Sequence, residues 1–124
     1  MQAAIYGLEG PAMNADERDF FRDAEPAGFI LFRRNCENQD QLLRLTDSLR
    51  EVAARDDVPI LIDQEGGRVA RMRPPEWPAF PPAEKFAHLY RAAPSSAIEA
   101  VRSNARALAL MLRSAGINVN ALPL

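Results

Sequence analysis

Short apolar runs along the chain predict four β-strands. These runs are Ala3–Tyr6, Gly28–Phe32, Val58–Ile62 and Ile117–Val119. The second and third runs are continuous rather than alternating, which is typical of parallel strands that are buried on both faces of a sheet. The pattern therefore favours a parallel sheet at the centre of the protein.

Three segments between the apolar runs have helical periodicity. Asn14, Asn38 and Ser96 each precede a Glu or Gln by three residues, the spacing of a side chain that caps a helix start. The first helix has Phe20, Phe21 and Ala24 as apolar contacts. The second helix places Leu42, Leu45, Leu49, Val52 and Ala53 on one face. The third helix places Val101, Ala105, Leu108, Ala109 and Leu112 on one face, and Gly116 lies where a C′ residue is expected.

The predicted elements follow the order β-α-β-α-β-loop-α-β. Alternating strands and helices indicate an α/β fold, with four neighbouring parallel strands in sequence order. The segment 74–82 contains five prolines, so an irregular loop is expected before the third helix.

Composition excludes several classes of protein. The chain has 124 residues, 48% of them hydrophobic, which suits one domain or a piece of a larger one. A net charge of −2 without a basic stripe gives no support to a nucleic-acid partner. With one cysteine, Cys36, and one histidine, no metal site or other cofactor is predicted. There is no signal-peptide pattern and no apolar run near the ~20 residues that span a membrane, so a soluble cytoplasmic protein is expected.

Charge and glycine are concentrated in the segment 63–73, directly after the third strand. Asp63 is the first polar residue after the strand, where ligands bind in parallel α/β folds. Gly66 and Gly67 permit a tight turn, and Arg68 and Arg71 could pair with the carboxylates or donate to a ligand. A salt-bridged turn without a ligand is the alternative. The glycines match no nucleotide-binding motif.

The segment Ile62–Val69, with the sequence IDQEGGRV, resembles the signature of bacterial β-N-acetylhexosaminidases of glycoside hydrolase family 3. Three further segments match in order and spacing, so the resemblance covers nearly the whole chain. They are Ala4–Leu8, Gly28–Asn35 and Gly116–Asn120.

This resemblance implies the first half of a (β/α)8 barrel, with residues 1–124 as the N-terminal part of the barrel domain, truncated after the fourth strand. It implies a retaining enzyme that removes terminal N-acetylglucosamine from cell-wall muropeptides in cytoplasmic peptidoglycan recycling. Asp63 and Arg71 would bind hydroxyls of the sugar, while Glu65 and Arg68 would brace the turn.

No catalytic residue is assigned within the chain. The resemblance implies that the acid/base histidine and the nucleophilic aspartate lie beyond residue 124, so the chain alone is expected to be inactive. His88 lacks the glycine context of that histidine and is interpreted as a surface residue. Asp63 and Glu65 are not favoured as the two catalytic carboxylates of a glycosidase, because they lie two residues apart on one segment and the resemblance makes neither of them the nucleophile. The alternative function is a non-catalytic half-barrel that binds sugar weakly or interacts with a partner.

The remaining conspicuous residues have structural interpretations. Arg34 and Asn35 are expected to be structural, and Cys36 to be a plain thiol. Trp77 and Phe80 are expected to cover the barrel rim, with stacking on a sugar as the alternative. The outer strands of an unclosed barrel would expose unpaired edges, which predicts self-association.

Overall fold

The computed structural model describes residues 2–122, and a four-stranded sheet lies at its centre. The strands are β1 (Gln2–Tyr6), β2 (Pro26–Leu31), β3 (Ile60–Ile62), β4 (Gln64–Gly66), β5 (Val69–Ala70) and β6 (Val119–Asn120). The helices are α1 (Ala15–Ala24), α2 (Gln39–Ala53), α3 (Ala83–Ala92) and α4 (Pro94–Ser114), with a short 3-10 turn at Arg33–Asn35.

The main sheet has the order β1-β2-β3-β6, and every pair of neighbours is parallel. These are the four strands predicted from the apolar runs, in the predicted order. A small antiparallel hairpin, β4–β5, was not predicted and directly follows β3. The parallel α/β prediction is therefore confirmed, with one addition at the end of the third strand.

The core lies where α2 and the end of α4 pack against the central strands. Its fully buried side chains are Phe29, Leu31, Leu42, Leu49, Val58, Ile60, Ile62 and Ile117. The first helix contributes an aromatic contact, because the Phe21 ring meets the Phe29 ring edge-on with centroids 5.1 Å apart. Phe20, also predicted as an apolar contact, meets the Tyr6 ring edge-on with centroids 5.2 Å apart, although it is 49% exposed.

The first two helix starts follow the predicted capping pattern. At α1, Glu17 N–H donates to Asn14 Oδ1 at 2.8 Å, and Asn14 N–H donates to Glu17 Oε2 at 3.0 Å. At α2, Gln41 N–H donates to Asn38 Oδ1 at 2.9 Å, but the Gln41 side chain accepts from Glu37 instead. Both asparagines therefore satisfy backbone donors that have no partner within the helix.

The start of the last helix was predicted wrongly. α4 begins at Pro94 rather than after Ser96, with Ala93 as its N-cap residue. Proline is pre-organised for the first helical position and needs no N–H there, so the helix starts without a capping side chain. α3 was missed for a related reason: its N-cap is Pro82, which makes no side-chain capping bond, and none of its residues is buried.

The end of α4 explains why β6 is shorter than the predicted strand. Gly116 N–H donates to Arg113 O at 3.0 Å and Ile117 N–H donates to Leu112 O at 3.0 Å, the pattern of a Schellman motif. Gly116 has φ +75°, so its predicted role as the C′ residue is confirmed. Because the Ile117 N–H is used by the helix end, strand pairing begins later, at Val119.

Candidate functional site

The Asp63 carboxylate lies at the carboxyl end of β3, because the residue directly follows the buried Ile62. Arg71 reaches it from the chain returning out of the hairpin, with Nη2 2.8 Å from Asp63 Oδ2. Each side chain is about one-quarter exposed, at 26% for Asp63 and 27% for Arg71. The two residues proposed from the sequence are thus in contact and partly shielded from solvent.

Two glycines allow the hairpin to turn back. Gly66 has φ +106° and Gly67 has φ +60°, conformations that side-chain-bearing residues rarely adopt. At Gly66 a Cβ atom would lie 2.4 Å from Pro81 O, so the backbones approach too closely for any side chain. Gly67 N–H also donates to Phe80 O at 2.9 Å, which joins the turn to the proline-rich loop. The expectation that both glycines permit a tight path is met.

Gln64 holds the returning strand from inside and was not singled out in the sequence. Its side chain is buried, and Oε1 accepts from Arg71 N–H at 2.8 Å and from Met72 N–H at 3.0 Å. Its Nε2 donates to Met72 O at 2.9 Å. These contacts join backbone groups seven and eight residues away and leave no pattern in the sequence. From the sequence alone, a buried glutamine cannot be distinguished from an exposed one.

Asn120, on β6, holds Gln64 from the other side. Gln64 N–H donates to Asn120 Oδ1 at 3.0 Å, and Asn120 Nδ2 donates to Gln64 O at 2.9 Å. The side chain of Asn120 therefore binds both main-chain polar groups of the residue that follows Asp63.

The predicted bracing role of Glu65 and Arg68 is not seen. Within residues 2–122 the backbone of the turn is instead bound by the side chains of Gln64, Asn120 and Arg73. The Arg73 guanidinium donates to Ala70 O at 2.6 Å and to Arg68 O at 3.3 Å. Arg73 can do this because it lies beyond the hairpin and reaches back over it. The Glu65 side chain instead borders an apolar groove of about 320 Å³ against α3 and α4.

Arg34 and Asn35 join the loops that follow the first two strands. Asn35 is fully buried, accepts from Phe32 N–H at 2.8 Å and donates to Gly10 O at 2.7 Å. Arg34 Nε donates to Leu8 O at 2.7 Å. Both residues therefore have the structural roles expected of them.

The aromatic and histidine candidates lie away from the pair. Trp77 is buried in the core, and its Nε1 donates to Gln39 Oε1 at 2.9 Å, so it is a packing residue. Phe80 lines a cavity of about 430 Å³ with Arg68 and Met72, not with Asp63. His88 is exposed on α3, with Nε2 3.8 Å from Glu84 Oε1, as expected for a surface residue.

Cys36 lies buried below the site. Burial raises the pKa of its thiol to about 11, an effect that the nearby cations of Arg33 and Arg71 reduce only in part. The thiol is therefore neutral at ordinary pH and behaves as a small packing group.

The pair leaves one polar atom without a partner. Arg71 Nε is buried and has no hydrogen-bond partner in the described part of the chain. A guanidinium N–H without an acceptor is costly, at about 1–3 kcal/mol, so an acceptor oxygen would be favoured there.

Residues 2–122 contain no cluster of three or more His, Cys, Asp or Glu side chains that could hold a metal, and none of their helices has the length and apolarity of a membrane span.

Curated proteins similar to this chain are named β-hexosaminidases. That of Xanthomonas oryzae pv. oryzae (strain MAFF 311018) is 35% identical over 119 residues, covering 96% of this chain and 35% of the relative. That of Xylella fastidiosa (strain M23) is 35% identical over 121 residues, with the same coverage. The chain spans about a third of the length of these relatives. It matches no protein-family model.

Solved structures of similar fold carry related names. NagZ from Neisseria gonorrhoeae in complex with N-trifluoroacetyl-D-glucosamine has a TM-score of 0.89 and 28% identity, over 97% of this chain and 36% of that one. A glycoside hydrolase family 3 β-N-acetylglucosaminidase from Paenibacillus sp. str. FPU-7 has a TM-score of 0.80 and 29% identity, over 94% of this chain and 21% of that one.

The four parallel strands and their helices thus match part of the NagZ fold and have the arrangement of the first half of a (β/α)8 barrel. Almost the whole length of the chain is thus similar to curated proteins named β-hexosaminidase and to a solved glycoside hydrolase family 3 β-N-acetylglucosaminidase. Both the resemblance and the fold class predicted from the sequence are confirmed.

Proposed function

We propose that residues 1–124 form the N-terminal part of a family 3 barrel domain and supply one side of its N-acetylglucosamine pocket. The observation that carries the proposal is the Asp63–Arg71 contact of 2.8 Å at the carboxyl end of β3. A carboxylate accepts hydrogen bonds from two sugar hydroxyls, and a guanidinium donates in a fixed fork.

The activity proposed for the complete enzyme is removal of terminal N-acetylglucosamine from cell-wall muropeptides by a retaining mechanism. The names of the relatives support hydrolysis of a hexosaminide. The bound N-trifluoroacetyl-D-glucosamine in one related structure supports an N-acylglucosamine ligand. Peptidoglycan recycling and a cytoplasmic location enter the proposal through the resemblance of Ile62–Val69 to the family signature.

In this proposal the acid/base and nucleophilic residues lie outside residues 1–124. Glycoside hydrolysis by retention requires two catalytic groups on either side of the scissile bond. Asp63 is occupied by Arg71, and His88 is exposed on α3 beside Glu84. The role of this chain is therefore sugar binding rather than bond cleavage.

Self-association through the sheet edges belongs to the same proposal. Among the described strands, β1 pairs only with β2 and β6 pairs only with β3. Ile5 on β1 is 50% exposed and Val119 on β6 is 38% exposed. Unpaired backbone groups beside apolar side chains favour contact with a second chain.

The test is a titration of the purified 124-residue chain with N-acetylglucosamine, followed by NMR. We expect weak binding, with a Kd of about 1 mM, because only part of a pocket is present. Asp63→Asn and Arg71→Lys should each weaken it at least tenfold, since charge and fork geometry are lost. Arg68→Lys, three residues away on the same hairpin, is the matched control and should bind as the wild type does. Equal binding by the two lysine variants would refute the assignment.

A second measurement addresses the alternative of a non-catalytic sugar-binding module. The chain alone should not hydrolyse aryl β-N-acetylglucosaminides above background. A separately expressed polypeptide that supplies the remaining barrel should restore turnover if the enzyme proposal is correct. Sugar binding without restored turnover would favour the non-catalytic module.

A further inference from the structure

We propose that the side-chain amides of Asn120 and Gln64 form a clamp that positions Arg71 against Asp63. This amide clamp connects β6, at the edge of the sheet, to the hairpin that carries the arginine. The effect of the clamp on sugar binding rests on the proposed function, whereas its effect on the geometry of the Arg71–Asp63 contact does not. Both amides are positioning residues, since neither contacts the ligand in this scheme.

The first half of the clamp continues strand pairing beyond the end of the main-chain ladder. The β3–β6 register ends with Ile62 opposite Asn120, and Ala121 N–H donates to Ile62 O at 2.9 Å. Gln64 lies two residues further along and is bound by the Asn120 side chain at both its N–H and its C=O. Two bonds from one planar amide fix both the position and the orientation of the backbone next to Asp63.

The second half of the clamp passes through the Gln64 side chain. Its three hydrogen bonds reach Arg71 N–H, Met72 N–H and Met72 O, at 2.8 to 3.0 Å. The β4–β5 hairpin has only two paired positions and an irregular register, and a hairpin of that size is marginal on its own. Gln64 therefore fixes the main chain of Arg71, from which the guanidinium extends to Asp63.

An internal control lies directly before the same strand. Asn118 makes the same kind of contact at the other end of β3: Ile60 N–H donates to its Oδ1 at 2.7 Å, and its Nδ2 donates to Val58 O at 3.0 Å. Both asparagines therefore join β6 to the β3 segment through a side-chain amide. Only Asn120 is connected through Gln64 to the Asp63–Arg71 pair.

The experiment compares Asn120→Ala with Asn118→Ala in the full chain, together with Gln64→Met, which keeps the length of the side chain and removes its hydrogen bonds. Amide hydrogen exchange at Arg71 and Met72 and the Arg71 Nε–H NMR signal are measured without sugar. We expect Asn120→Ala and Gln64→Met to speed exchange at both amides at least tenfold and to shift the Arg71 signal. Asn118→Ala should lower the Tm by a similar amount and leave both readouts unchanged.

The sugar titration is a separate arm. N-acetylglucosamine binding should weaken at least tenfold in Asn120→Ala and less than twofold in Asn118→Ala. If the wild-type chain binds no sugar, the proposed function fails, while the clamp is still decided by exchange and by the Arg71 signal.

Two outcomes would overturn the clamp. One is an equal effect of the two asparagine variants on the Arg71 and Met72 amides. The other is free exchange of these amides in the wild-type chain, a measurement that needs no variant to fold.

If Asn120→Ala does not fold, Asn120→Asp takes its place, because it keeps the acceptor for Gln64 N–H and loses the donor to Gln64 O. Asn120→Asp should speed exchange of the Arg71 and Met72 amides by less than Gln64→Met does. Unchanged exchange of these amides in Asn120→Asp would also overturn the clamp.

Discussion

The turn after β3 and the helical hairpin α3–α4 differ in where their contacts come from. In the turn, Gln64, Ala70 and Met72 are buried, and hydrogen bonds from within the described chain hold its backbone. In the helical hairpin, α3 has no buried residue, and Val101 and Leu110 of α4 are 46% and 60% exposed. The backbone of the turn is thus held by contacts from within the described chain, whereas the helices beside it present an exposed apolar face.

The conformation of the turn therefore depends on contacts within this chain, whereas the helices beside it have an apolar face that further residues could cover. The relatives are about three times longer than this chain, so they contain further residues that could cover the helices. Exposed apolar patches of this kind mark interaction surfaces. We therefore expect substitutions in the turn to act on folding and on the pair, and substitutions on the outer face of α4 to act mainly on association.

The largest effect is expected for Gly66→Ala in the turn. The new Cβ would lie 2.4 Å from Pro81 O at a φ of +106°, so the turn and the proline-rich loop must separate. We expect a loss of about 3–4 kcal/mol in the free energy of unfolding. Urea unfolding measures it, with Gly10→Ala as the control because nothing lies within 4 Å of that Cβ. Equal stability of the two variants would mean that the turn is not rigid.

The next effect separates the two faces of α4. Leu112 is 4% exposed and part of the core, so Leu112→Ala should lower the free energy of unfolding by about 2–4 kcal/mol. Leu110 lies two residues earlier and is 60% exposed, so Leu110→Ala should lower the free energy of unfolding by no more than about 0.5 kcal/mol. The comparison is made by urea unfolding at low protein concentration. A large loss for Leu110→Ala would show that its face is already covered in solution.

A smaller effect, confined to alkaline pH, tests how closed the core is beneath the site. Burial raises the pKa of Cys36 from 9.0, the ordinary value of a solvated thiol, to about 11 in the folded chain. The unfolded chain therefore loses this proton first, so the contribution of the thiol to stability is full below pH 9 and is lost as the pH rises to about 11. We expect about 1–2 kcal/mol of stability to disappear across this range.

The measurement for the thiol is the slope of stability against pH, compared with that of Cys36→Ala. The other titrating groups are shared by both proteins, so the difference in slope reports the thiol. The variant should lack this part of the alkaline loss. Identical slopes would mean that solvent reaches the thiol in the folded state.

Much of the fold could be predicted because its signals are local. The apolar runs identified the four main strands, and the capping side chains of Asn14 and Asn38 identified two helix starts. The position of Asp63 after a buried strand also placed it at the carboxyl edge, where Arg71 meets it. Each of these predictions depends on a pattern within a few residues.

The features that were missed depend on tertiary contacts or lack a local marker. Gln64 and Asn120 act through hydrogen bonds to backbone 7 to 8 and 56 residues away, which no window of sequence reveals. α3 starts after Pro82 without a capping bond and buries no side chain, so it has neither a start signal nor a core face. The resemblance assigned Glu65 and Arg68 to bracing the turn, but the side chain of Arg73 binds the turn backbone instead.

The smallest effect on stability, and the sharpest test of the exposed helical face, comes from Leu110→Lys. The side chain is 60% exposed, so its removal leaves the core intact and should change the free energy of unfolding by less than about 0.5 kcal/mol. A charge at the centre of an apolar contact must be desolvated, so we expect the dissociation constant of any self-association to rise several-fold. Sedimentation at several concentrations measures it. Ala107→Lys places the same charge on an exposed position of the same helix without removing a large apolar side chain. If Ala107→Lys has an equal effect, added charge controls association; if neither variant changes it, association uses the sheet edges and not α4.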